Sequence, residues 1–177
     1  MTIVDLSQTL VTGMKVYPGD PIVKIVQVHN LNYEGWRLRN LSFGSHTGTH
    51  VDAFAHMDKN GDTLDKTPLN KFFGRAVVVK STDKFPKNVG IIFGKDSLKI
   101  EDFDKIISAR PPFIGISADC DFPVPLERKL LLSGVIIFGN LVNTEKLPAK
   151  KPFMFYGFPL KIKNGDGSPV RAVAIYD

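Results

Sequence analysis

The chain has 177 residues, of which 43% are hydrophobic and 23% are charged. This composition is typical of a globular protein and excludes a disordered or fibrous one. No run of about 18 apolar residues is present, so the sequence predicts no membrane-spanning segment. The length suits one domain, and no linker or repeat divides it, so we predict a single domain over residues 1–177.

The amino terminus and the cysteine content indicate the compartment. The first ten residues carry an acid, Asp5, and no basic stretch before an apolar run, so we expect no signal peptide. The single cysteine, Cys120, excludes an internal disulfide and suits a reducing compartment. It lies between Asp119 and Asp121, whose charges raise the pKa of a thiol. We therefore expect an inert thiol in a cytoplasmic protein.

The charge balance excludes nucleic acid as a partner. The 23 basic and 18 acidic residues give a net charge of +5, and the lysines are spread along the chain. Nucleic-acid binding calls for a basic stripe with interleaved aromatic residues or a known reader motif, and neither is present. A modest attraction for an anionic small molecule is what this charge supports.

The apolar runs predict many short strands and few helices. The runs span four to seven residues and end at glycine, proline or asparagine, as strands do. The predicted strands are Ile3–Leu6, Ile22–Val28, Arg37–Phe43, Gly74–Lys80, Gly90–Phe93, Phe113–Ile116, Val135–Phe138, Phe153–Tyr156 and Val170–Tyr176.

Helical signals are confined to three segments. Apolar spacing predicts helices over Lys99–Ala109 and Pro125–Ser133, and Thr67 with Pro68 predicts a short helical turn through Phe72. Asn164–Gly167 is typical of a turn, here in a hairpin between two strands. The pattern indicates an α/β fold in a single mixed, β-rich domain.

Three of the four histidines lie within the segment Ser45–His56, which reads SHTGTHVDAFAH. Imidazole and carboxylate are the groups that Zn²⁺ and Mn²⁺ prefer as ligands. His46, His50, Asp52 and His56 are spaced by even numbers, so an extended strand would place all four on one face. A straight strand would nevertheless separate His46 from His50 by roughly 13 Å, which is too far for two ligands of one ion.

The chain must therefore curl between His46 and His50 if both bind the same ion. Gly48, within Thr-Gly-Thr, has the conformational freedom for this curl, and the segment is a poor helix former. We predict a bent strand or loop that lets the backbone at Gly48 approach the ion. The residues alone leave an alternative, in which they are structural polar groups and Asp52 bonds to a turn.

The same segment resembles the H-x-G-T-H-x-D-x-P-x-H signature of the cyclase-like metal-dependent hydrolases, a family that includes bacterial kynurenine formamidase. The similarity continues in Asp5–Ser7, in Val16–Pro21, in Leu130–Leu141 and in Pro159–Ala172, so it extends over nearly the whole chain. The resemblance implies the family's swivelling β/β/α fold. It also implies a homo-oligomer, because members of this family tend to form one.

The resemblance also implies roles for individual residues. His46, His50 and Asp52 would bind one divalent ion, and Asp52 would bridge to a second ion where one exists. His56 would be the catalytic acid–base residue, and Tyr17 would line the substrate pocket. The chemistry is consistent, because a bound metal lowers the pKa of water towards neutrality and a nearby histidine can move the proton.

The chain departs from the family pattern at the second metal position. Glu127 and Gly139 stand where the family has a histidine and a glutamate. Glu127 can still offer an oxygen ligand, but Gly139 has no side chain. Ser117 stands where the family often has an acid, and Phe54 replaces the proline of the signature. We therefore expect one ion rather than two, with Zn²⁺ preferred and Mn²⁺ as the alternative.

The function that follows is hydrolysis of a small amide, a formamide or a cyclic amide or lactone, in an arylformamidase-like reaction on C–N bonds other than peptide bonds. Two alternatives remain open. One is a non-catalytic metal or small-ligand binding protein on the same scaffold, and the other is a lyase or cyclase reaction at the same site. The expected partner is a small-molecule substrate, with neither nucleic acid nor a membrane involved.

Overall fold

The computed structural model describes residues 1–177 as eleven strands, two α-helices and four short 3-10 helices. The strands are β1 (Thr2–Asp5), β2 (Lys24–His29), β3 (Leu38–Ser42), β4 (His50–Asp52), β5 (Phe73–Val79), β6 (Gly90–Phe93), β7 (Phe113–Ser117), β8 (Ile136–Leu141), β9 (Phe153–Tyr156), β10 (Gly167–Pro169) and β11 (Val173–Tyr176). The α-helices are α1 (Phe103–Ala109) and α2 (Val124–Leu132), and the 3-10 helices are Phe54–His56, Leu69–Lys71, Ile100–Asp102 and Thr144–Lys146.

Nine of the strands form one mixed sheet in the order β1-β11-β9-β5-β6-β7-β8-β4-β10. The central strands β5 to β8 are parallel neighbours, and the outer strands pair antiparallel. Every residue of β6 and β7 is buried. Such continuous burial explains why their sequences are unbroken apolar runs, because parallel strands are covered on both faces.

Alternate residues of the central strands enter two separate cores. Ile92 of β6 points into a core within the curl of the sheet, whereas Ile91 and Phe93 point into a core beneath α1 and α2. The inner core contains the rings of Phe113, Phe138 and Phe155, with centroids 4.7–5.6 Å apart. Aromatic pairs in this range contribute beyond their buried area, so the inner core is a firm support for the neighbouring strands.

One run of chain, Gly167–Tyr176, connects the two edges of the sheet. Its first part, β10, pairs with β4, and its last part, β11, pairs with β1 and β9. Leu6 follows β1, and its N–H donates to the carbonyl of Ala172 (2.9 Å) while its carbonyl accepts from the N–H of Val142, after β8 (3.0 Å). The sheet therefore curls back on itself, with β4 and β10 close to the amino-terminal segment.

The remaining strands, β2 and β3, form a separate antiparallel ribbon. All of β3 and most of β2 are exposed. At its far end the indole N–H of Trp36 donates to Nδ1 of His29 (2.9 Å), and at its base Thr12 exchanges hydrogen bonds with the backbone of Ile25. A two-stranded ribbon of this kind is marginal without packing on a further surface.

Most of the predicted elements are confirmed. β6 and β9 match their predicted bounds residue for residue, and the other predicted strands lie within three residues of theirs. The predicted helix Lys99–Ala109 is a 3-10 helix that continues into α1, and the predicted turn before Phe72 is the 3-10 helix Leu69–Lys71. No helix has the length and hydropathy needed to cross a membrane.

The predicted hairpin around Asn164 needs a correction. The turn is present at Lys163–Asn164, and β9 and β11 are antiparallel neighbours, but the strand that follows the turn is β10. β10 pairs with β4 at the opposite edge of the sheet. The prediction missed β10 because three residues, Gly-Ser-Pro, carry no strand signal of their own.

Candidate metal centre

The histidine segment forms a turn that leads into β4. His46 lies in the turn, Gly48 adopts a left-handed conformation with φ of +62°, and His50 begins the strand. The predicted bend at Gly48 is therefore confirmed. A side chain at Gly48 would be strained by this φ, so glycine is favoured there, and its β-carbon would also displace the tip of the Leu10 side chain, 2.8 Å away.

The bend brings three donor atoms around one point. The Nδ1 atom of His46 lies 2.7 Å from Oδ1 of Asp52, and the Nε2 atom of His50 lies 3.2 Å from the same oxygen. The carboxylate is buried, and both imidazoles are mostly buried. Two imidazole nitrogens and one carboxylate oxygen, all within 4.8 Å of one another, are a donor set that Zn²⁺ or Mn²⁺ fits.

A hydrogen-bond network fixes the ring of His50. Its Nδ1–H donates to the carbonyl of Gly48 (2.8 Å), which leaves Nε2 free to face Asp52. The same carbonyl accepts from the side-chain amide of Asn140 (3.2 Å), just after Gly139 on β8. The hydroxyl of Thr49 donates to the carbonyl of Asn140 (2.8 Å), so both residues that precede His50 are tied to β8.

The two strands beside β4 place glycines against the histidine rings. Gly139 of β8 pairs with His50, and a β-carbon at Gly139 would lie 2.7 Å from Cε1 of that ring. Gly167 of β10 pairs with Asp52, and a β-carbon there would lie 2.4 Å from Cε1 of His46. Both rings therefore occupy space that a side chain at position 139 or 167 would fill. Gly139 offers no ligand, as expected, and its structural role is to admit His50.

His56 and Glu127 form the outer part of the cluster. His56 ends the 3-10 helix Phe54–His56, and Phe54 anchors that helix by packing against both cores. Glu127 lies in the first turn of α2, with its carboxylate 3.9 Å from Nε2 of His56. The rings of His56 and His46 have centroids 3.9 Å apart. Asp52, His56 and Glu127 also have ligating atoms within 4.8 Å of one another.

The structure adds a residue that the sequence analysis did not identify. Asp166, immediately before β10, places Oδ2 3.0 Å from Nε2 of His46 and 3.8 Å from Nδ1 of His56. The sequence analysis assigned it only to a turn. An acid beside glycine is common in turns, and its partner His46 is 120 positions away, so only the sheet pairing reveals it.

The electrostatics of the inner cluster favour positive charge. Burial alone would raise the pKa of Asp52, but the charges and hydrogen bonds of His50 and His46 hold that pKa well below its usual range. Burial alone would lower the pKa of His46, but Asp52 and then Asp166 raise it to about 9. Asp52 likewise raises the pKa of His50 against the effect of burial. A divalent cation meets the same demand for positive charge.

The outer groups have pKa values shifted the other way. Burial and the charge of Asp52 raise the pKa of Glu127 to about 7. Burial and the charge of His46 lower the pKa of His56. His56 is therefore a neutral imidazole near neutral pH, with a nitrogen available to accept a proton.

Three residues named in the sequence analysis lie outside this cluster. Tyr17 lies on the loop between β1 and β2, where it is 69% exposed and its backbone carbonyl accepts from Asp20. Ser117 is buried at the end of β7, where its hydroxyl accepts from the N–H of Asp119 (3.2 Å). Burial, Asp96 and Asp121 raise the pKa of the Cys120 thiol to about 11, as expected for an inert cysteine.

Comparison with known proteins identifies the family. The family model described as "Putative cyclase" matches residues 4–110. The chain therefore belongs to the cyclase family.

Individual relatives match nearly the whole chain. The chain is 28% identical to a kynurenine formamidase of Salinibacter ruber, over 98% of this chain and 97% of that one. Its fold matches isatin hydrolase A of Labrenzia aggregata with a TM-score of 0.84 and 23% identity, over 98% of this chain and 93% of that one. A solved potential metal-dependent hydrolase with cyclase activity matches with a TM-score of 0.79 and 19% identity, over 98% and 96%. The predicted family and the mixed α/β, β-rich fold are thus confirmed.

Proposed function

We propose that this protein is a metal-dependent hydrolase that cleaves a small amide. The amide would be a formamide, in an arylformamidase-like reaction, or a cyclic amide; the corresponding cyclic ester, a lactone, is the alternative substrate. The observation that carries the proposal is the convergence of His46 Nδ1 and His50 Nε2 on one oxygen of Asp52. Kynurenine formamidases and isatin hydrolases among the similar proteins support an amide as the substrate class.

His46, His50 and Asp52 would hold one divalent ion, preferably Zn²⁺ and otherwise Mn²⁺. Three protein ligands that leave a coordination position free are typical of a catalytic zinc site. A bound ion of this kind supplies Lewis acidity and makes water a nucleophile near neutral pH. The protein's contribution is to fix the ligand atoms, which the strand pairing on both sides of β4 and the Gly48 carbonyl accomplish.

His56 would move the proton. Its ring is mostly shielded from solvent and lies beside His46, and its lowered pKa keeps a ring nitrogen free to accept a proton from the attacking water. The imidazolium so formed would return the proton to the departing amine or alkoxide. Glu127, 3.9 Å from Nε2 of His56, lies close enough to stabilise that imidazolium.

A single ion fits this site better than two. The second group of ligating atoms contains Asp52, His56 and Glu127, with Gly139 adding no side chain from β8. If Glu127 and His56 bind a second ion, His56 cannot also serve as a free base. We therefore propose one resident ion, with Glu127 acting on His56 rather than on a metal.

The test compares His56→Ala with the unmodified protein, both loaded with Zn²⁺. N-formyl arylamines and small cyclic amides serve as substrates. We expect turnover to fall by about 10²–10⁴-fold, the usual contribution of a general acid–base residue, while the bound Zn²⁺ stays unchanged. His29→Ala is the matched control, because the fourth histidine lies on the exposed ribbon and contacts Trp36.

Two outcomes would contradict the proposal. One is a His56→Ala variant that retains full turnover. The other is an unmodified protein that binds Zn²⁺ tightly and turns over neither class of substrate, which would favour a metal or small-ligand binding protein on the same scaffold.

We further propose that the protein works as a homo-oligomer, with a small molecule as its substrate. Large apolar side chains on the β2–β3 ribbon, among them Val26, Leu38 and Leu41, are about half exposed, and Tyr17 lies on the loop that precedes it. These side chains lie on both faces of the ribbon, where an oligomer would cover them as other protein interfaces do. Light scattering during gel filtration tests this, and the mass of a single chain at micromolar concentration would overturn it.

A further inference from the structure

The backbone of Asp166 is held in place by the sheet. Its backbone carbonyl accepts from the N–H of Ala53 (2.9 Å), at the end of β4. β10 then pairs with all three residues of β4, beginning with Gly167 opposite Asp52. This pairing fixes the Cα of Asp166 beside the histidine segment, and from there its half-exposed carboxylate reaches His46.

The two metal-facing histidines are oriented by different partners. His50 faces Asp52 through Nε2, and its other nitrogen donates to the backbone carbonyl of Gly48. His46 faces the same oxygen through Nδ1, and its other nitrogen donates to Oδ2 of Asp166 (3.0 Å). The two rings meet edge to face, with centroids 5.2 Å apart. Each ring thus has one nitrogen directed at Oδ1 of Asp52. Its other nitrogen donates a hydrogen bond to a second acceptor, which is the Gly48 carbonyl for His50 and the Asp166 carboxylate for His46.

The group that accepts the N–H of a histidine ring decides which nitrogen of that ring can bind an ion. A neutral imidazole carries one proton, so a ring that donates through Nε2 must present the lone pair of Nδ1. Histidines that bind metals almost always donate their other N–H to a carboxylate or carbonyl, which sets the ring orientation and raises the basicity of the ligand. A carboxylate, being charged, does this more strongly than the carbonyl that serves His50.

The next residue makes room for this arrangement. A β-carbon at Gly167 would lie 2.4 Å from Cε1 of His46 and 2.9 Å from each ring nitrogen. The His46 ring therefore packs against the backbone of Gly167. This glycine is the residue that follows Asp166 in the chain. The pair Asp166-Gly167 supplies both the partner for Nε2 and the space for the ring.

We propose that Asp166 is a positioning residue, which holds His46 with Nε2 protonated and Nδ1 directed at the ion. This inference rests on the proposed metal site. It assigns to Asp166 neither the role of a ligand nor that of a base. Its effect passes through His46, so it should appear in metal affinity and in the protonation of that ring before it appears anywhere else.

The first test measures Zn²⁺ affinity by competition with a chromogenic chelator at fixed pH. We expect Asp166→Ala to weaken binding by about 10–100-fold, the usual effect of removing an outer partner of a metal ligand. Asp166→Asn keeps an acceptor oxygen and should lose less. Asp65→Asn is the matched control, because Asp65 accepts from the backbone N–H of Asn164 and so supports the same loop without contacting His46.

The second test measures by NMR which nitrogen of the His46 ring carries the proton. In the Zn²⁺-loaded protein, the ¹⁵N chemical shifts of His46 should report a proton on Nε2 and the metal on Nδ1. In loaded Asp166→Ala the metal still leaves the proton on Nε2, and we expect the Nε2 resonance to shift because its N–H has lost the carboxylate acceptor. The unfolding temperature of the metal-free variant should stay close to that of Asp65→Asn, which separates the effect from a loss of structure.

Several results would overturn the inference while leaving the metal site intact. These are Asp166→Ala binding Zn²⁺ as tightly as the unmodified protein, an affinity loss equally large in Asp65→Asn, or ¹⁵N shifts that place the metal on Nε2. Failure of the proposed function looks different, because then the unmodified protein and His50→Ala would bind Zn²⁺ equally weakly.

Discussion

Two groups of ligating side chains share Asp52, and they differ in how they are built. The inner group, with His46 and His50, lies on one short segment whose neighbours on both sides are paired strands. Its contacts are 2.7 and 3.2 Å long. The outer group, with His56 and Glu127, joins a 3-10 helix to α2 across a 3.9 Å gap. The inner group is therefore the more closely packed of the two, as the proposed ion site requires, and the looser outer group is compatible with the proposed proton transfer.

The two groups differ in how far backbone pairing fixes their residues. His50 and Asp52 are fixed by the register of β4 with β8 and β10, whereas His46 lies in the turn before β4. Both rings have a defined slot because Gly139 and Gly167 carry no side chain. The outer side chains depend on the packing of Phe54 and of α2, which fixes positions less tightly. Three changes probe this comparison, beginning with the largest expected effect.

Asp52→Ala should have the largest effect, because both groups lose their common carboxylate. Breaking a buried ion pair by removing one partner typically costs about 3–5 kcal/mol in the free energy of unfolding. We expect bound Zn²⁺ to fall to background in elemental analysis and the urea midpoint to drop. A variant that keeps its full metal content would place the ion elsewhere.

Gly139→Ala tests the slot for His50. The added β-carbon would lie 2.7 Å from Cε1 of a ring that is held by the Gly48 carbonyl, so the ring must shift. We expect a cost of about 1–3 kcal/mol and a measurable loss of Zn²⁺ affinity. Gly94→Ala is the control, since its β-carbon would meet nothing closer than 3.5 Å. If the two variants had equal unfolding free energies and equal Zn²⁺ affinities, the inference that Gly139 makes room for the His50 ring would be wrong.

Glu127→Gln has the smallest expected effect and depends on pH. Since folding raises the pKa of Glu127 from 4.5 to about 7, the folded state binds more protons between these values and loses stability as the pH rises through them. Glutamine removes this loss. Without metal, we expect the variant to match the unmodified protein below pH 4.5 and to exceed it by about 1–2 kcal/mol at pH 8. Urea unfolding at both pH values checks this.

Zn²⁺ stoichiometry in the same variant sharpens the comparison. Glu127→Gln should retain one ion per chain, because the inner group is untouched. A fall from two ions to one would show that Glu127 is a ligand, and the outer group would then be a second metal site.

The sequence predicts the parts of this molecule that local chemistry determines. β6 and β9 are short apolar runs bounded by turn residues, and both match their predictions. The histidine segment is predicted equally well from the sequence. His46, His50 and Asp52 lie within seven positions, and Gly48 indicates the bend between them. Their roles as ligands remain a prediction until metal binding is measured.

Long-range pairing determines what the sequence does not predict. β10 has no strand signal and exists because β4 offers it an edge. Asp166 has the local appearance of a turn residue, and its contact with His46 depends on that pairing. Gly139 is recognisable in sequence only as a missing ligand, and the space it leaves for His50 is visible only across two strands.

The position of β10 in the chain has a consequence for biosynthesis. His46 leaves the ribosome 120 residues before Asp166. At ~5–20 residues per second this separation corresponds to roughly 6–24 s, during which β4 has neither of its neighbouring strands for much of the time. The three inner ligands emerge together, yet their geometry is set only when the last strands arrive. If the site binds a metal, capture in the native geometry would be a late step that follows the closure of the sheet.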